Sequence, residues 1–184
     1  MAGHRQIGWS DNAEAYGRVT RLLHWGLAGL LVWQWLGMGT KVLLGRNAVS
    51  GFFVGLHAPV GTLIFCLVLI RILWTLASRN DRPAHAPGLV GQAAKAGHGL
   101  LYLLMLLVPS LALLRAFGSD RPFAPFGLLL HSGRETELAW MVAPANLAHG
   151  YLAWALLVLV TGHIAFAIYH QVVLKDGTLN RMAG

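Results

Sequence analysis

Four apolar stretches along the chain are each long enough to form a helix across a lipid bilayer. Polar or charged segments separate these stretches, which cover residues 22–38, 52–70, 97–114 and 147–169. A helical span needs about 20 mostly apolar residues, whereas a β-strand span needs about half as many. The pattern therefore predicts four transmembrane helices, near residues 19–40, 52–77, 97–117 and 146–172.

The composition supports a membrane protein rather than a water-soluble one. Of the 184 residues, 56% are hydrophobic and only 11% are charged, whereas soluble domains carry about 25% charged residues. So much apolar surface also excludes a disordered chain. The single cysteine, Cys66, excludes a disulfide framework and an iron–sulfur site, because both require several thiols. We expect one all-α domain over residues 1–184, built as a four-transmembrane-helix bundle.

The basic residues predict the orientation of the bundle. Nine lie on the side that holds both termini and the middle loop: Arg5, Arg18, Arg21, Arg71, Arg79, Arg82, Lys95, Lys175 and Arg181. Five lie on the opposite side: Lys41, Arg46, Arg115, Arg121 and Arg134. This bias predicts cytoplasmic termini in a bacterial inner membrane, and the net charge of +7 indicates contact with anionic lipid, not nucleic acid. The polar segment 1–21 predicts that the first helix is its own insertion signal.

Ionisable side chains inside a membrane are costly and usually mark function. Six of the nine histidines fall in or beside the predicted spans: His24, His57, His98, His149, His163 and His170. His149 and His163 are 14 residues apart, so they share one face of the fourth helix about 21 Å apart along its axis. His57 starts the second helix at the outer level and His24 starts the first at the inner level. Two stacked imidazole pairs suit two haems, an outer one on His57 and His149 and an inner one on His24 and His163.

Small residues follow the paired histidines at the position one helical turn away, where a bulky side chain would obstruct a porphyrin. These residues are Ala28, Gly61, Ala153 and Ala167. The corresponding positions after His98 and His170 hold Tyr102 and Leu174. We interpret His98 as structural, at the start of a helix. The alternative for the paired histidines is hydrogen bonding across helices or around a wet cavity; zinc is disfavoured, because each level offers two nitrogens and no thiolate.

The chain resembles the prokaryotic cytochrome b561 family, the four-helix di-haem cytochromes b. Besides the His149 and His163 pair, the resemblance rests on the motifs RLLHW (21–25), LHAPVG (56–61), HGLLY (98–102), FGL (126–128) and KDGTLNRM (175–182). It covers nearly the whole chain. The family pattern implies the same ligation, His24 with His163 and His57 with His149, and it implies that His170 corresponds to a histidine near the quinone.

Two kinds of function occur in the family that the chain resembles. Stand-alone members of this length include superoxide oxidases, which carry electrons from superoxide at the outer face to ubiquinone near the inner face. Others anchor hydrogenases or formate dehydrogenases and connect a redox partner protein to quinone. The length and ending resemble the stand-alone group, so we expect a superoxide:quinone oxidoreductase. A non-redox carrier or scaffold is the third possibility.

The charged residues at the two faces fit such an activity without requiring it. The five outer basic residues would attract superoxide, a small anion, although contact with lipid headgroups explains them equally. At the inner face, Arg18, Arg21 and Arg71 either pair with haem propionates or only set the topology.

Overall fold

The structure is a computed structural model and describes residues 8–84 and 87–183, so that Arg5 lies outside the described residues. The described chain is helical, and its one β-bridge joins Phe123 to His131. Its helices are α1 (Arg18–Leu44), α2 (Ala48–Ala77), α3 (Gly88–Gly118), α4 (Ala139–Tyr169) and α5 (Asn180–Ala183). A 3₁₀ turn (Pro125–Gly127) follows α3, and a π-helical turn (His170–Leu174) continues α4.

The first four helices are long and apolar enough to cross a membrane. This confirms the predicted all-α membrane protein with four transmembrane helices. Their side chains are apolar around the whole circumference, as expected for helices that face lipid on one side and protein on the other. Proline lies inside α2, α3 and α4, and membrane helices tolerate this residue because neighbouring groups satisfy the freed carbonyls.

Three helices begin earlier than their apolar stretches indicate. Helix α2 begins at Ala48 instead of near residue 52, α3 at Gly88 instead of near residue 97, and α4 at Ala139 instead of near residue 146. The additional two and a half turns of α3 contain Gln92 and Lys95, which are good helix formers but too polar to register as a span. Helix length here exceeds the bilayer core, so hydropathy alone places these ends wrongly.

The four helices form two hairpins. Helix α1 packs along α2, α3 packs along α4, and the hairpins meet mainly through α2 and α3. Glycine permits a close approach in each hairpin: a Cβ atom on Gly37 would lie 2.9 Å from Cβ of Phe53, and one on Gly118 would lie 2.5 Å from Cβ of Met141. In the described chain, α4 packs much less closely on α1 and α2 than on α3.

The tightly packed core forms a layer in the middle of the bundle. Its buried residues are Leu27, Leu31, Ile64, Val68, Leu101, Leu104, Met105 and Leu156. Leu156 lies seven residues from His149 and seven from His163, so the core separates the two histidine levels. The histidines themselves are only half-buried.

The segment before α1, helix α5 and the α2–α3 connection meet at one end of the bundle, which we call the terminal end; the other is the far end. The carboxylate of Asp11 is fully buried there, 3.0 Å from Nε of Arg82, and it accepts a hydrogen bond from the Thr20 hydroxyl. The backbone N–H of Tyr16 donates to the carbonyl of Arg181. These contacts join three separate parts of the chain.

Candidate functional site

The far-end pair joins α2 to α4. The imidazole centroids of His57 and His149 lie 6.1 Å apart, and the ring planes are 80° apart. Nδ1 of His149 lies 3.0 Å from the carbonyl oxygen of Val108 on α3. A carbonyl only accepts, so this nitrogen carries the hydrogen and Nε2 keeps its lone pair, the state that binds a metal.

A side chain of α1 contacts the backbone at His57. The side-chain amide of Gln34 donates to the carbonyl oxygen of His57 at 3.0 Å. A Cβ atom on Gly61 would lie 3.3 Å from the same amide nitrogen. The small residue one turn after His57 thus makes room for Gln34, a role that the sequence did not indicate.

The terminal-end pair joins α1 to α4. The centroids of His24 and His163 lie 6.3 Å apart, with ring planes 63° apart. Nη2 of Arg71, on α2, lies 2.9 Å from Nδ1 of His24. A guanidinium has only donors, so Nδ1 accepts this hydrogen bond and, in the neutral ring, Nε2 carries the hydrogen, the reverse of His149. To bind iron through Nε2, His24 would release this contact and move its hydrogen to Nδ1. The two levels therefore differ in what their imidazoles meet: a neutral carbonyl at the far end and a cation at the terminal end.

A third imidazole lies at the terminal-end level. The ring centroid of His98 is 5.4 Å from that of His163. Since α3 begins at Gly88, His98 lies well inside the helix, not at its start as the sequence indicated. Hydropathy underestimated how far α3 extends, and this is why the sequence did not place His98 beside the pair.

His170 lies apart from both pairs, at the start of the π-helical turn. Its Nδ1 lies 2.6 Å from Oδ2 of Asp176, and the other carboxylate oxygen accepts the N–H of Thr178. The hydrogen bond from His170, with smaller contributions from Thr178, lowers the pKa of Asp176 to about 2. Sequence reasoning missed Asp176, whose only signal was its place in the ending KDGTLNRM.

The spacing of both pairs fits a haem iron between two imidazoles. A metal–imidazole bond is about 2 Å long, so rings that bind one ion from opposite sides have centroids roughly 6 Å apart. In the described chain no group of three or more His, Cys, Asp or Glu side chains is arranged to hold a metal ion. A cofactor that supplies four equatorial ligands of its own, as a porphyrin does, suits such pairs better than a bare ion.

A buried hydrogen-bond donor near the far-end pair also supports a bound haem at that level. Among the described residues, the indole N–H of Trp33 is buried without a hydrogen-bond acceptor. Its ring packs 4.9 Å from that of Phe53, which lies one helical turn before His57. An unpaired buried donor is costly, and a carboxylate of a bound haem is an acceptor of the kind it lacks.

Comparisons with known proteins identify the family of the chain. The family model described as prokaryotic cytochrome b561 matches residues 15–184. Cytochrome b561 homolog 2 of Escherichia coli K12 is 28% identical and covers 97% of this chain and 96% of its own. Cytochrome b562 of Cereibacter sphaeroides is 32% identical, with coverage of 91% and 94%. A probable superoxide oxidase of Yersinia pestis is 26% identical, with coverage of 87% and 90%.

Three independent features thus agree: four membrane-spanning helices, imidazole pairs on facing helices, and a family match over nearly the whole length. Haem b is the cofactor that this family implies. The chain is a multi-pass membrane electron-transfer protein and belongs to the prokaryotic cytochrome b561 family.

Proposed function

We propose that the chain holds two haems b, one at each histidine level, and that it oxidises superoxide and reduces ubiquinone. The observation that carries the proposal is the pair of matched centroid distances, 6.1 Å for His57 and His149 and 6.3 Å for His24 and His163. When bound, haem iron supplies reversible one-electron exchange. The chain would hold each haem with the imidazole nitrogens of one histidine pair, and it provides the apolar layer between the two pairs.

The two sites lie on opposite sides of the apolar core. His149 and His163 are separated by four turns of α4, about 21 Å along its axis. The buried layer around Leu156 and Val68 excludes water between them. Such a layer prevents protons and ions from leaking across the bundle but does not prevent electron exchange between two buried centres.

The orientation proposed for the protein follows from its basic residues. The terminal end carries the larger share of lysine and arginine, so we place it on the cytoplasmic side of the bacterial inner membrane. The far end then faces the periplasm. Superoxide formed outside the cytoplasm would meet the level of His57 and His149, and quinone would be reduced near the terminal end.

Basic side chains at the far end support an anionic donor. Lys41 and Arg46 line an open groove of about 260 Å³ beside the start of α2. Arg115 and Arg134 are exposed nearby and donate to Asn146 and to the carbonyl of Phe117. Positive charge raises the local concentration of a small anion and its rate of encounter. The name of the Yersinia pestis relative gives the donor that we propose, superoxide.

The terminal end offers a place for quinone and a source of protons. An open groove of about 420 Å³ adjoins the π-helical turn and is lined by Gln171, Val172, Lys175, Gly177 and Asn180. His170 begins that turn, and Asp176 holds its Nδ1. Two superoxide ions give up two electrons and become dioxygen, and one ubiquinone takes up these electrons with two protons to give ubiquinol. We assign His170 to the delivery of these protons.

The test measures the haem absorbance of the purified single subunit exposed to an enzymatic source of superoxide. We expect rapid haem reduction that superoxide dismutase abolishes and that a soluble quinone reverses. Bound haem that superoxide does not reduce would contradict the proposed donor and favour the alternative, an anchor or electron conduit fed by a dehydrogenase or hydrogenase. Absence of any haem signal would contradict the assigned ligands.

A further inference from the structure

Arg71 is the only Asp, Glu, Lys or Arg residue in the thirty residues of α2. It is half-buried and lies in a membrane-spanning segment, where a charged side chain is costly and usually has an oppositely charged partner. The ion pairs found among the described residues join Arg82 to Asp11 and His170 to Asp176. Arg71 therefore has no carboxylate partner in the part of the chain that the structure describes.

Neighbouring hydroxyl groups hold the guanidinium in place. Nε of Arg71 donates to the Tyr102 hydroxyl at 3.0 Å, and the guanidinium carbon lies 5.5 Å from the centre of the Tyr102 ring. The Thr75 hydroxyl donates to the carbonyl oxygen of Arg71 and lies 3.1 Å from the Tyr102 hydroxyl. The remaining arm, Nη2, reaches Nδ1 of His24 at 2.9 Å. The positive charge is thus fixed beside one proposed haem ligand.

Among the described residues, no cation forms a hydrogen bond with either histidine of the far-end pair. There, Nδ1 of His149 faces the neutral carbonyl of Val108. The nearby Arg115 is exposed and donates to the amide oxygen of Asn146, so solvent screens its charge. In the described chain a guanidinium therefore contacts a proposed ligand at the terminal-end level, whereas the far-end cations Lys41 and Arg115 act on His57 only from a distance.

We infer that Arg71 is a positioning residue that raises the reduction potential of the terminal-end haem above that of the far-end haem. Reduction adds one electron to the iron, and a fixed positive charge nearby stabilises the reduced state. At the far end, the Val108 carbonyl that accepts from Nδ1 of His149 would make that imidazole a stronger donor to iron and favour the oxidised state. Both effects favour movement of electrons towards the terminal end. The inference rests on the proposed function, because it requires a haem at each level.

The direction of the effect does not depend on which acceptor Arg71 has once haem is bound. An imidazole that binds iron through Nε2 carries a hydrogen on Nδ1, so the Arg71 arm would leave Nδ1 of His24 and turn to another acceptor, such as a haem carboxylate. The Tyr102 hydroxyl still accepts from Nε and keeps the guanidinium on the same side of α2. The cation remains next to the terminal-end haem and far from the level of His149.

The experiment is a potentiometric titration of the purified protein, followed by haem absorbance. Arg71→Gln removes the charge and keeps a hydrogen-bonding side chain; Arg79→Gln removes an exposed charge from the turn after α2 and serves as the matched control. We expect Arg71→Gln to lower the potential of one haem and Arg79→Gln to lower neither. A chain that also carries His149→Ala is expected to retain only the terminal-end haem. A lowered potential in that chain would show that the haem affected by Arg71→Gln is the terminal-end one.

Further variants keep the test decisive if Arg71→Gln loses haem. Arg71→Leu removes the charge with an apolar side chain that suits a membrane-spanning helix, whereas Arg71→Lys keeps the charge. A terminal-end potential that falls in Arg71→Leu and stays near the original value in Arg71→Lys supports the inference, and the same potential in both variants overturns it. Two bound haems that do not respond to Arg71 would contradict the inference alone. A chain without haem, or one that loses both haems on His149→Ala, would contradict the proposed function as well.

Discussion

Nδ1 of His170 donates to Oδ2 of Asp176 across the end of α4, at 2.6 Å. The contact depends on the π-helical turn and on Lys175, whose left-handed backbone (φ 52°) returns the chain towards His170. It fixes the imidazole ring and leaves Nε2 free to exchange a proton. The pair lies beside the terminal-end groove, so it is placed to serve a quinone there.

His170→Phe tests this role. The variant removes the exchangeable proton but keeps a planar ring in the same turn, so we expect quinone reduction to slow on the order of 10²-fold. Both haems are expected to remain bound and to be reduced by superoxide at the normal rate. Stopped-flow absorbance separates the two half-reactions. Loss of a haem would instead identify His170 as an axial ligand.

The carboxylate of Asp176 gives a separate pH prediction. Its pKa in the folded chain is about 2, below its ordinary value of 3.8, because His170 and Thr178 donate to the ionised form. The contacts of Asp176 therefore contribute to the free energy of unfolding above about pH 4, and this contribution is lost as the pH falls through about 2. Asp176 stays ionised between pH 5 and 8, and we expect quinone reduction in that range to be insensitive to its titration. Side-chain ¹³C NMR with Asp176→Asn for assignment measures the midpoint; a value near 4 would contradict the contact.

Removal of one ligand at the far end tests the separation of the two levels. We expect His149→Ala to lose the far-end haem and to retain the terminal-end haem, so that haem absorbance per polypeptide falls by about half. His131→Ala is the matched control, because His131 also lies at the far end but packs against the ring of Phe117. A full complement of haem in His149→Ala would exclude it as a ligand.

Regular helix geometry explains why both pairs could be predicted. Fourteen residues correspond to nearly four helical turns, so His149 and His163 must share a face, and the alternation of helix direction places His57 and His24 at the matching levels. The contacts of Arg71 with His24 and Tyr102 span 47 and 31 residues between different helices. They depend on the rotation of three helices about their axes, which no periodicity specifies.

Helix ends were the other feature that hydropathy could not place. Residues 88–96, which include Gln92 and Lys95, extend α3 beyond its apolar stretch, and the added turns place His98 inside the helix and near His163. The sequence also did not indicate that Asp11 is buried. Its surroundings come from the segment before α1 and from the connection after α2, which only the folded chain brings together.

The close approach of α3 and α4 gives a stability prediction. A methyl group on Gly118 would meet Cβ of Met141 at 2.5 Å, so Gly118→Ala must displace one helix and should cost about 1–3 kcal/mol. Gly97→Ala is the control, because a Cβ atom there has no neighbour within 4 Å and alanine favours the helix by up to about 1 kcal/mol. Thermal unfolding of the detergent-solubilised protein compares them. An unchanged midpoint for Gly118→Ala would contradict the described crossing.

The buried ion pair at the terminal end gives the last prediction. Asp11 is buried and contacts Arg82, the Thr20 hydroxyl and the backbone N–H of Gly17. Asp11→Ala leaves these donors unpaired, so we expect a loss of about 3–5 kcal/mol and faster proteolysis of the segment before α1. Asp81→Ala removes an exposed carboxylate from the same connection and should have little effect. Because this end also holds the proposed quinone groove, Asp11→Ala should raise the KM for quinone while haem content stays constant. Equal stability of the two variants would show that the ion pair does not hold the terminal end together.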